Sequence, residues 1–141
     1  MKNIFLVALY LTACTIASAQ TQNSTLTIVA TNFSSTNGMA VVHLFRKSDD
    51  VPAKPFMKST AAIEDGSAKI IFKDLPYGEY AAILFHDENN NGILDHRWGF
   101  PHEPMGFSNA WSLSLFSGMP SFEKLKFRFT STEPVCKIKI N

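Results

Sequence analysis

The chain of 141 residues is 45% apolar and 18% charged, which is enough for the core of one domain and too short for two comfortable ones. Thirteen Lys and Arg against twelve Asp and Glu leave a formal net charge of +1, which excludes a protein held to nucleic acid by bulk positive charge. The apolar content also excludes an acidic disordered chain.

The N-terminal segment has the pattern of a secretory signal. Lys2 gives a positive start, residues 4–16 are apolar, and residues 17–19 form the small-x-small site Ala-Ser-Ala. Cleavage after Ala19 is therefore expected, leaving residues 20–141 as a single domain. This processing predicts export to the periplasm or the cell exterior.

A second interpretation of the N-terminus stays open. Residues 11–14, LTAC, resemble the lipobox of bacterial lipoproteins, and cleavage there would make Cys14 a lipid-bearing N-terminus. After the signal no apolar run approaches the ~20 residues that a membrane-spanning helix needs. Simple cleavage leaves Cys136 as the single cysteine, and its alternation with Lys137 and Lys139 predicts a core residue rather than a reactive thiol.

Short β-strands make up the predicted body of the chain. Apolar and polar residues alternate with period two, and no helical stripe is evident. Residues 80–85 are almost entirely apolar, which predicts a central strand. The alternating positions are Leu26, Ile28 and Ala30; Val41, His43 and Phe45; Ile70 and Phe72; and Leu125, Phe127 and Phe129.

Turn residues separate these strands. Asn37-Gly38 and Asp65-Gly66 supply the positive φ angles of tight hairpins. Seven or eight short strands with such turns predict an all-β fold: a single Ig-like or prealbumin-like β-sandwich with one long ordered loop. Residues 72–80, FKDLPYGEY, resemble a turn-and-strand signature of prealbumin-like sandwich modules, which implies the fold and no particular activity.

The longest stretch without an obvious strand or helix is residues 87–110. Its first nine residues, DENNNGILD, place oxygen-bearing side chains at relative positions 1, 3, 5 and 9 and glycine at position 6, which is the spacing of a calcium loop. Position 12, where a bidentate Glu is expected, holds Trp98, and no flanking helices are evident. The pattern therefore predicts a calcium loop carried by a β scaffold.

Calcium is the expected cofactor, with an affinity of roughly 10⁻⁴–10⁻³ M because the loop offers two sure carboxylates. A metal-free polar turn is the alternative, since Asn, Asp and Gly are also turn residues. The expected ligands are Asp87, Asn89, Asn91, the carbonyl group of Ile93, and Asp95, with His86, Glu88, His102 and Glu103 as additional ligands or supports of the loop.

Aromatic side chains follow in the second half of the long stretch. Phe100 and Phe107 are expected to pack onto the sandwich as a small satellite core, which is the commoner arrangement under a long loop. The alternative is that Trp98, Phe100 and Trp111 offer ring faces to a sugar or peptide ligand.

Histidine and carboxylate side chains support two alternatives to a calcium module. His86, Asp87, His102 and Glu103 could serve a hydrolase, and the histidine cluster of His86, His96 and His102 could serve a periplasmic transition-metal binder. Their spacing matches no compact metal motif, and Ser108 lacks a nucleophile-elbow context. A non-catalytic binding or structural role is favoured, with an envelope or extracellular protein or a glycan as the partner.

The long stretch contains a double motif that is similar to that of a known bacterial family. Residues 86–95 read HDENNNGILD, residues 99–109 read GFPHEPMGFSN, and residues 120–123 read PSFE. Together they resemble the family catalogued as domain of unknown function 2141, over nearly all of the mature chain. The resemblance implies a small exported protein with one sandwich domain and brings no established activity with it.

Overall fold

The computed structural model describes residues 23–141, so the predicted signal and Cys14 lie outside the described residues. Residues 23–141 form ten β-strands, a 3-10 turn at Ser108–Ala110 and one turn of helix, α1, at Phe122–Leu125. In this range no helix has the length and apolar character needed to cross a bilayer. The strands are β1 (Asn23–Thr31), β2 (Met39–Phe45), β3 (Met57–Ala62), β4 (Ser67–Pro76), β5 (Gly78–Asp87), β6 (His96–Arg97), β7 (Phe100–Pro101), β8 (Met105–Phe107), β9 (Phe127–Phe129) and β10 (Val135–Lys139).

Eight of the strands in residues 23–141 build the two sheets of a β-sandwich, which confirms the predicted all-β class. The first sheet has the order β10-β1-β4, with β10 parallel and β4 antiparallel to β1. The second has the order β3-β2-β5-β8 and is antiparallel throughout, and β9 pairs with the first residues of β5. The remaining pair, β6 and β7, forms a small hairpin of its own.

The main core lies between the two sheets, where the predicted alternation places it. Leu26, Ile28 and Ala30 of β1 are fully buried there, and so are Ile70 and Phe72 of β4 to within 1%. Burying a Leu, Ile or Phe side chain stabilises the fold by about 1.5–3 kcal/mol relative to leaving it in water. Period two in the sequence is therefore sufficient to assign the inner face of these strands.

β5 is buried on both faces, as its continuous apolar sequence predicts. One face contributes to the main core, and the other covers a second, smaller cluster beneath α1 and β8. This arrangement holds the later part of the long segment against β5, because β8 pairs with β5 and Phe107 packs in the second cluster. The buried members of the second cluster are Phe45, Ala81, Ile83, Phe107, Phe122 and Leu125.

Two local predictions differ from the structure. Leu125 was expected in a strand, but it ends α1, and β9 begins only at Phe127. The helical turn brings Phe122 and Leu125 onto the same face, where both are buried in the second cluster. The long segment was expected to lack strands, but it contains β6, β7 and β8. Cys136 is a free thiol buried in the main core, as predicted.

Candidate functional site

The 87–95 loop begins at the last residue of β5 and leads into the β6–β7 hairpin. Asp87 is only 2% exposed although it carries a charge. The turn between β1 and β2 packs directly against it: a Cβ at position 38 would collide with the Asp87 carbonyl oxygen and lie 2.8 Å from the Cα of Glu88. Glycine at position 38, with φ of +78°, permits this close approach.

The carboxylate of Asp87 closes the loop onto its own backbone. Its Oδ1 accepts a hydrogen bond from the Asn91 N–H at 3.1 Å, and its Oδ2 accepts one from the Gly92 N–H at 2.8 Å. Left-handed φ angles of +59° at Asn90 and +77° at Gly92 turn the chain back towards the strand. These N–H donors offset the cost of burying a charged carboxylate.

Asn89 and Asn91 connect the middle of the loop to Asp95. The side-chain oxygen of Asn89 accepts the Asn91 N–H at 3.0 Å, and that of Asn91 accepts the Ile93 N–H at 2.9 Å. Their Nδ2 groups donate to the Asp95 carboxylate, from Asn89 at 2.6 Å and from Asn91 at 3.1 Å to both oxygens. The structure thus brings the four predicted ligand side chains of residues 87–95 together. The side chain of Ile93 is 61% exposed.

Glu103 fastens both ends of the 87–95 loop. Its side chain is 6% exposed, its Oε1 accepts the Glu88 N–H at 3.1 Å, and its Oε2 accepts the Asp95 N–H at 3.2 Å. The neighbouring His102 donates its backbone N–H to the Asp95 carbonyl oxygen at 2.8 Å, while its side chain is exposed. Through these two hydrogen bonds, the Glu103 carboxylate holds the 87–95 loop in position.

His86 directly precedes the 87–95 loop, near the end of β5, and is fully buried. Its Nε2 lies 2.6 Å from the Asn37 carbonyl oxygen, and because a carbonyl only accepts, Nε2 carries the proton. Its Nδ1 is buried without a hydrogen-bond partner in residues 23–141 and lies 3.8 Å from a carboxylate oxygen of Glu88. The ring also packs edge-on against Phe33 at a centroid distance of 5.3 Å. His86 therefore ties the β1–β2 turn to the start of the loop.

The groups suggested for a hydrolase or a transition-metal site mostly have structural partners. Within residues 23–141 no group of three or more His, Cys, Asp and Glu side chains is arranged to hold a metal ion. Ser108 is fully buried; its Oγ accepts the Ala82 N–H at 2.9 Å and lies 2.5 Å from the Leu125 carbonyl oxygen. Its hydroxyl is engaged in joining β5 to α1.

The aromatic side chains of the long segment divide into packed and exposed groups. Phe107 is buried in the second cluster, and Trp111 packs edge-on against it with a centroid distance of 4.7 Å. Phe100 is 65% exposed, so the predicted packing is right for Phe107 and wrong for Phe100. Trp98, at the tip of the β6–β7 hairpin, is 89% exposed and has a left-handed φ of +57°.

An apolar cleft of about 540 Å³ opens beside the hairpin. The hairpin forms one wall, residues 113–120 form the other, and Ile83 and Phe107 lie at its base. A second hollow of about 340 Å³ continues beyond Phe100 and Leu113 towards Glu103. Clefts of this size with few polar groups are typical of ligand sites.

Sequence reasoning missed the wall formed by residues 113–120. Leu113, Leu115, Phe116 and Met119 are 44%, 88%, 98% and 69% exposed. The available signal was a run of large apolar side chains interspersed with Ser, Gly and Pro, a composition that favours a loop over a paired strand. Loops of that composition can also pack their apolar residues onto the domain, so the composition alone does not predict the exposure.

Comparison with known proteins gives a family and no activity. Neither a curated protein nor a solved structure matches the chain. One family profile does match, over residues 28–136, and its description is "Uncharacterized protein conserved in bacteria". The matched range includes β5, the 87–95 loop, the hairpin and both walls of the apolar cleft. The chain therefore belongs to the bacterial DUF2141 family.

Proposed function

We propose that the protein is an exported, non-catalytic binding module of the bacterial envelope or extracellular space, with a calcium ion that makes its 87–95 loop rigid. The observation that carries the proposal is the convergence of Asp87, Asn89, Asn91 and Asp95 at the spacing of a calcium loop. Calcium prefers several hard oxygen ligands, and this loop concentrates them within nine residues.

The hydrogen bonds of the loop leave oxygen atoms available to an ion. Asn89 and Asn91 each use their side-chain oxygen to accept one backbone N–H, and an amide oxygen has a second lone pair. Asp87 and Asp95 contribute carboxylates, and the Ile93 carbonyl is the fifth oxygen of the pattern. Water, the half-exposed Glu88 or Glu103 completes the shell, since Glu103, like Asp87, accepts two backbone N–H groups and keeps further lone pairs.

The same contacts support a weak affinity. The Nδ2 groups of Asn89 and Asn91 donate to Asp95, and calcium has to displace these donors before that carboxylate can ligate it. With two carboxylates and two neutral amides, the expected dissociation constant is about 10⁻⁴–10⁻³ M. That range suits the extracellular space, where calcium is plentiful, and is consistent with the proposed export.

Thermal unfolding in calcium tests the proposal. A ligand that binds only the folded chain raises the unfolding midpoint, so about 10 mM calcium should stabilise the protein by roughly 1–3 kcal/mol. Magnesium at the same concentration should have a smaller effect, because it demands a tighter octahedral shell and loses its water reluctantly. The variant Asn91→Asp should bind calcium about tenfold more tightly and be less stable without it, because the new carboxylate faces Asp95.

Asn90→Asp is the matched control. Asn90 is exposed and adjacent to Asn91, and its left-handed φ of +59° suits Asp as well as Asn. It adds the same charge to the loop at a position outside the ligand pattern, so its calcium affinity should stay close to that of the unmodified chain. If about 10 mM calcium leaves the midpoints of the unmodified protein and of Asn91→Asp unchanged, the loop is a metal-free turn and the proposal is wrong.

A further inference from the structure

One end of the molecule carries the most exposed apolar side chains of residues 23–141. Trp98 is 89% exposed, Leu115 is 88% exposed and Phe116 is 98% exposed. Single apolar residues are common on protein surfaces, whereas contiguous sets of this size mark binding surfaces. We call residues 96–101 and 111–120, together with the apolar cleft that they line, the apolar end.

The two segments of the apolar end form one surface because they line the same cleft. Gly99, Phe100 and Pro101 contribute to it from the hairpin, and Leu115 and Met119 contribute from the opposite wall. The most exposed side chains thus belong to the two segments that line this apolar cleft. Fluid acyl chains adapt to an irregular apolar surface, whereas a folded protein partner covers one only where its own shape matches.

Charges within the two segments of the apolar end, and Lys124 beside them, favour an anionic partner. Neither residues 96–101 nor residues 111–121 contain Asp or Glu, and Arg97 lies next to Trp98. The ammonium group of Lys124 donates to the carbonyl oxygens of Ser117 and Met119, each at 2.8 Å, which places a positive charge at the base of the second wall. Glu123, which precedes Lys124 in the chain, forms an ion pair with Lys126.

We propose that the apolar end docks onto a lipid bilayer that contains anionic lipids. Trp98, Leu115 and Phe116 enter the interfacial region, where indole rings are favoured and apolar area leaves water. Arg97 and Lys124 then lie at the level of the lipid phosphates, where each basic residue contributes to attraction by an anionic surface. The cleft receives part of an acyl chain, for which its apolar lining is suited.

This inference rests on the proposed function only for export, which brings the apolar end to an envelope membrane. It does not require calcium. Vesicle binding is therefore measured both in calcium and in a chelator: binding that is the same in both supports the membrane proposal even if the calcium proposal fails, and a calcium-dependent unfolding midpoint stands even if no vesicle is bound.

Vesicles of phosphatidylcholine with about 30% phosphatidylglycerol, and of phosphatidylcholine alone, are the probes. In the variant Trp111→Phe the single indole is Trp98, since the chain has two Trp residues. Binding should shift its emission to shorter wavelength and expose it to quenching by brominated acyl chains, and the anionic vesicles should bind more protein. Equal binding to the two vesicle types, or none at about 1 mM lipid, would overturn the proposal.

The variant Leu115→Ser/Phe116→Ser tests the residues themselves. Both side chains are almost fully exposed, so their replacement spares the core, and partitioning onto anionic vesicles should fall about tenfold or more. Ile71→Ser/Val135→Ser is the matched control, because it removes two half-exposed apolar side chains from the β10-β1-β4 sheet, outside the apolar end. This variant should bind anionic vesicles as the parent protein does.

Two results would overturn the assignment of the apolar end. One is an equal loss of vesicle binding in both double variants. The other is a parent protein that forms a concentration-dependent dimer and does not bind vesicles, together with a Leu115→Ser/Phe116→Ser variant that is monomeric. That result would make this surface an interface between copies of the chain.

Discussion

His43 on β2 is kept neutral by its surroundings. Its ring packs edge-on against Phe85 at a centroid distance of 5.3 Å, and its Nε2 is buried without a hydrogen-bond partner in the described range. Burial first, and then the positive charge of Lys58 on the neighbouring strand, lower the pKa of His43 from 6.5 to about 4. These contacts make His43 a structural residue of β2.

The lowered pKa of His43 predicts a loss of stability on acidification. The unfolded chain takes up a proton at this residue near pH 6.5 and the folded chain near pH 4, so the stabilisation is complete above about pH 6.5 and is lost as the pH falls to about 4. The loss should be about 1–2 kcal/mol once solvent access to the ring is allowed for. Urea denaturation across this pH range measures it.

Two histidine variants separate this effect from other titrations. In His43→Leu the decline in the free energy of unfolding between about pH 6.5 and about pH 4 should be smaller by about 1–2 kcal/mol, because the histidine whose pKa is lowered by folding has been removed. The control His96→Gln replaces an exposed histidine and should retain the full decline. If the curves of the two variants coincide, the desolvation of His43 does not set the pH dependence.

Individual site residues were predictable to the extent that their roles are local. The spacing of Asp87, Asn89, Asn91 and Asp95 is a property of nine consecutive residues, and the structure brings these side chains into one hydrogen-bonded set. The bond from His86 to the turn between β1 and β2 joins positions 49 residues apart. Contacts of that kind depend on the register of two strands, which the sequence pattern does not specify.

At the level of elements, Ser108 joins β5 to α1. Its Oγ accepts the Ala82 N–H at 2.9 Å and donates to the Leu125 carbonyl oxygen at 2.5 Å, with all of these groups buried. Ser108→Ala leaves a buried donor and a buried acceptor unpaired, which should lower the free energy of unfolding by about 2–3 kcal/mol. Chemical denaturation measures the change.

Ser112→Ala provides the comparison for this prediction. Ser112 lies four positions further along the same segment and is exposed, so its replacement should change the free energy of unfolding by less than about 0.5 kcal/mol. Equal stabilities for the two variants would mean that the hydroxyl of Ser108 contributes little to the junction of β5 and α1.

Sequence patterns misassigned two elements, each for a different physical reason. Residues 124–129 alternate cleanly between basic and apolar side chains, which is a strand pattern, yet the first two belong to α1. Packing of Phe122 and Leu125 into the second cluster outweighs that local preference. The hairpin of β6 and β7 has only two residues in each strand, and so short a pairing leaves no detectable alternation.

For the whole molecule, the sandwich was predictable because burial imposes period two on strands that expose one face. β1, β4 and β10 show that alternation, and β5 shows the continuous apolar run of a strand buried on both faces. The order of strands within the sheets was not predictable, since the parallel pairing of β10 with β1 joins the two ends of the domain. Of the apolar end, residues 113–120 were missed because exposed apolar residues carry no periodic signal.

Export makes a prediction about the mature protein as a whole. Produced in a bacterial host with its own N-terminus, the protein should be recovered from the envelope or the medium with Gln20 as its first residue, as measured by intact mass. Of the two cysteines, only Cys136 then remains. Burial raises the pKa of the Cys136 thiol to about 12, so iodoacetamide at about pH 8 should add nothing to the folded protein and one group to the unfolded protein.

The outcomes of this experiment distinguish the two kinds of processing. An uncleaved chain takes up two alkyl groups when unfolded, because Cys14 is retained. Lipidation gives instead a chain that begins at Cys14 and is heavier by its attached acyl groups, and Cys14→Ser then blocks processing. Under simple cleavage, Cys14→Ser matures to the same mass as the parent, because the replaced residue is removed with the signal. A protein that keeps residues 1–19 and stays inside the cell would contradict export. It would then lack the plentiful calcium that the loop proposal assumes and the envelope membrane that the docking proposal requires.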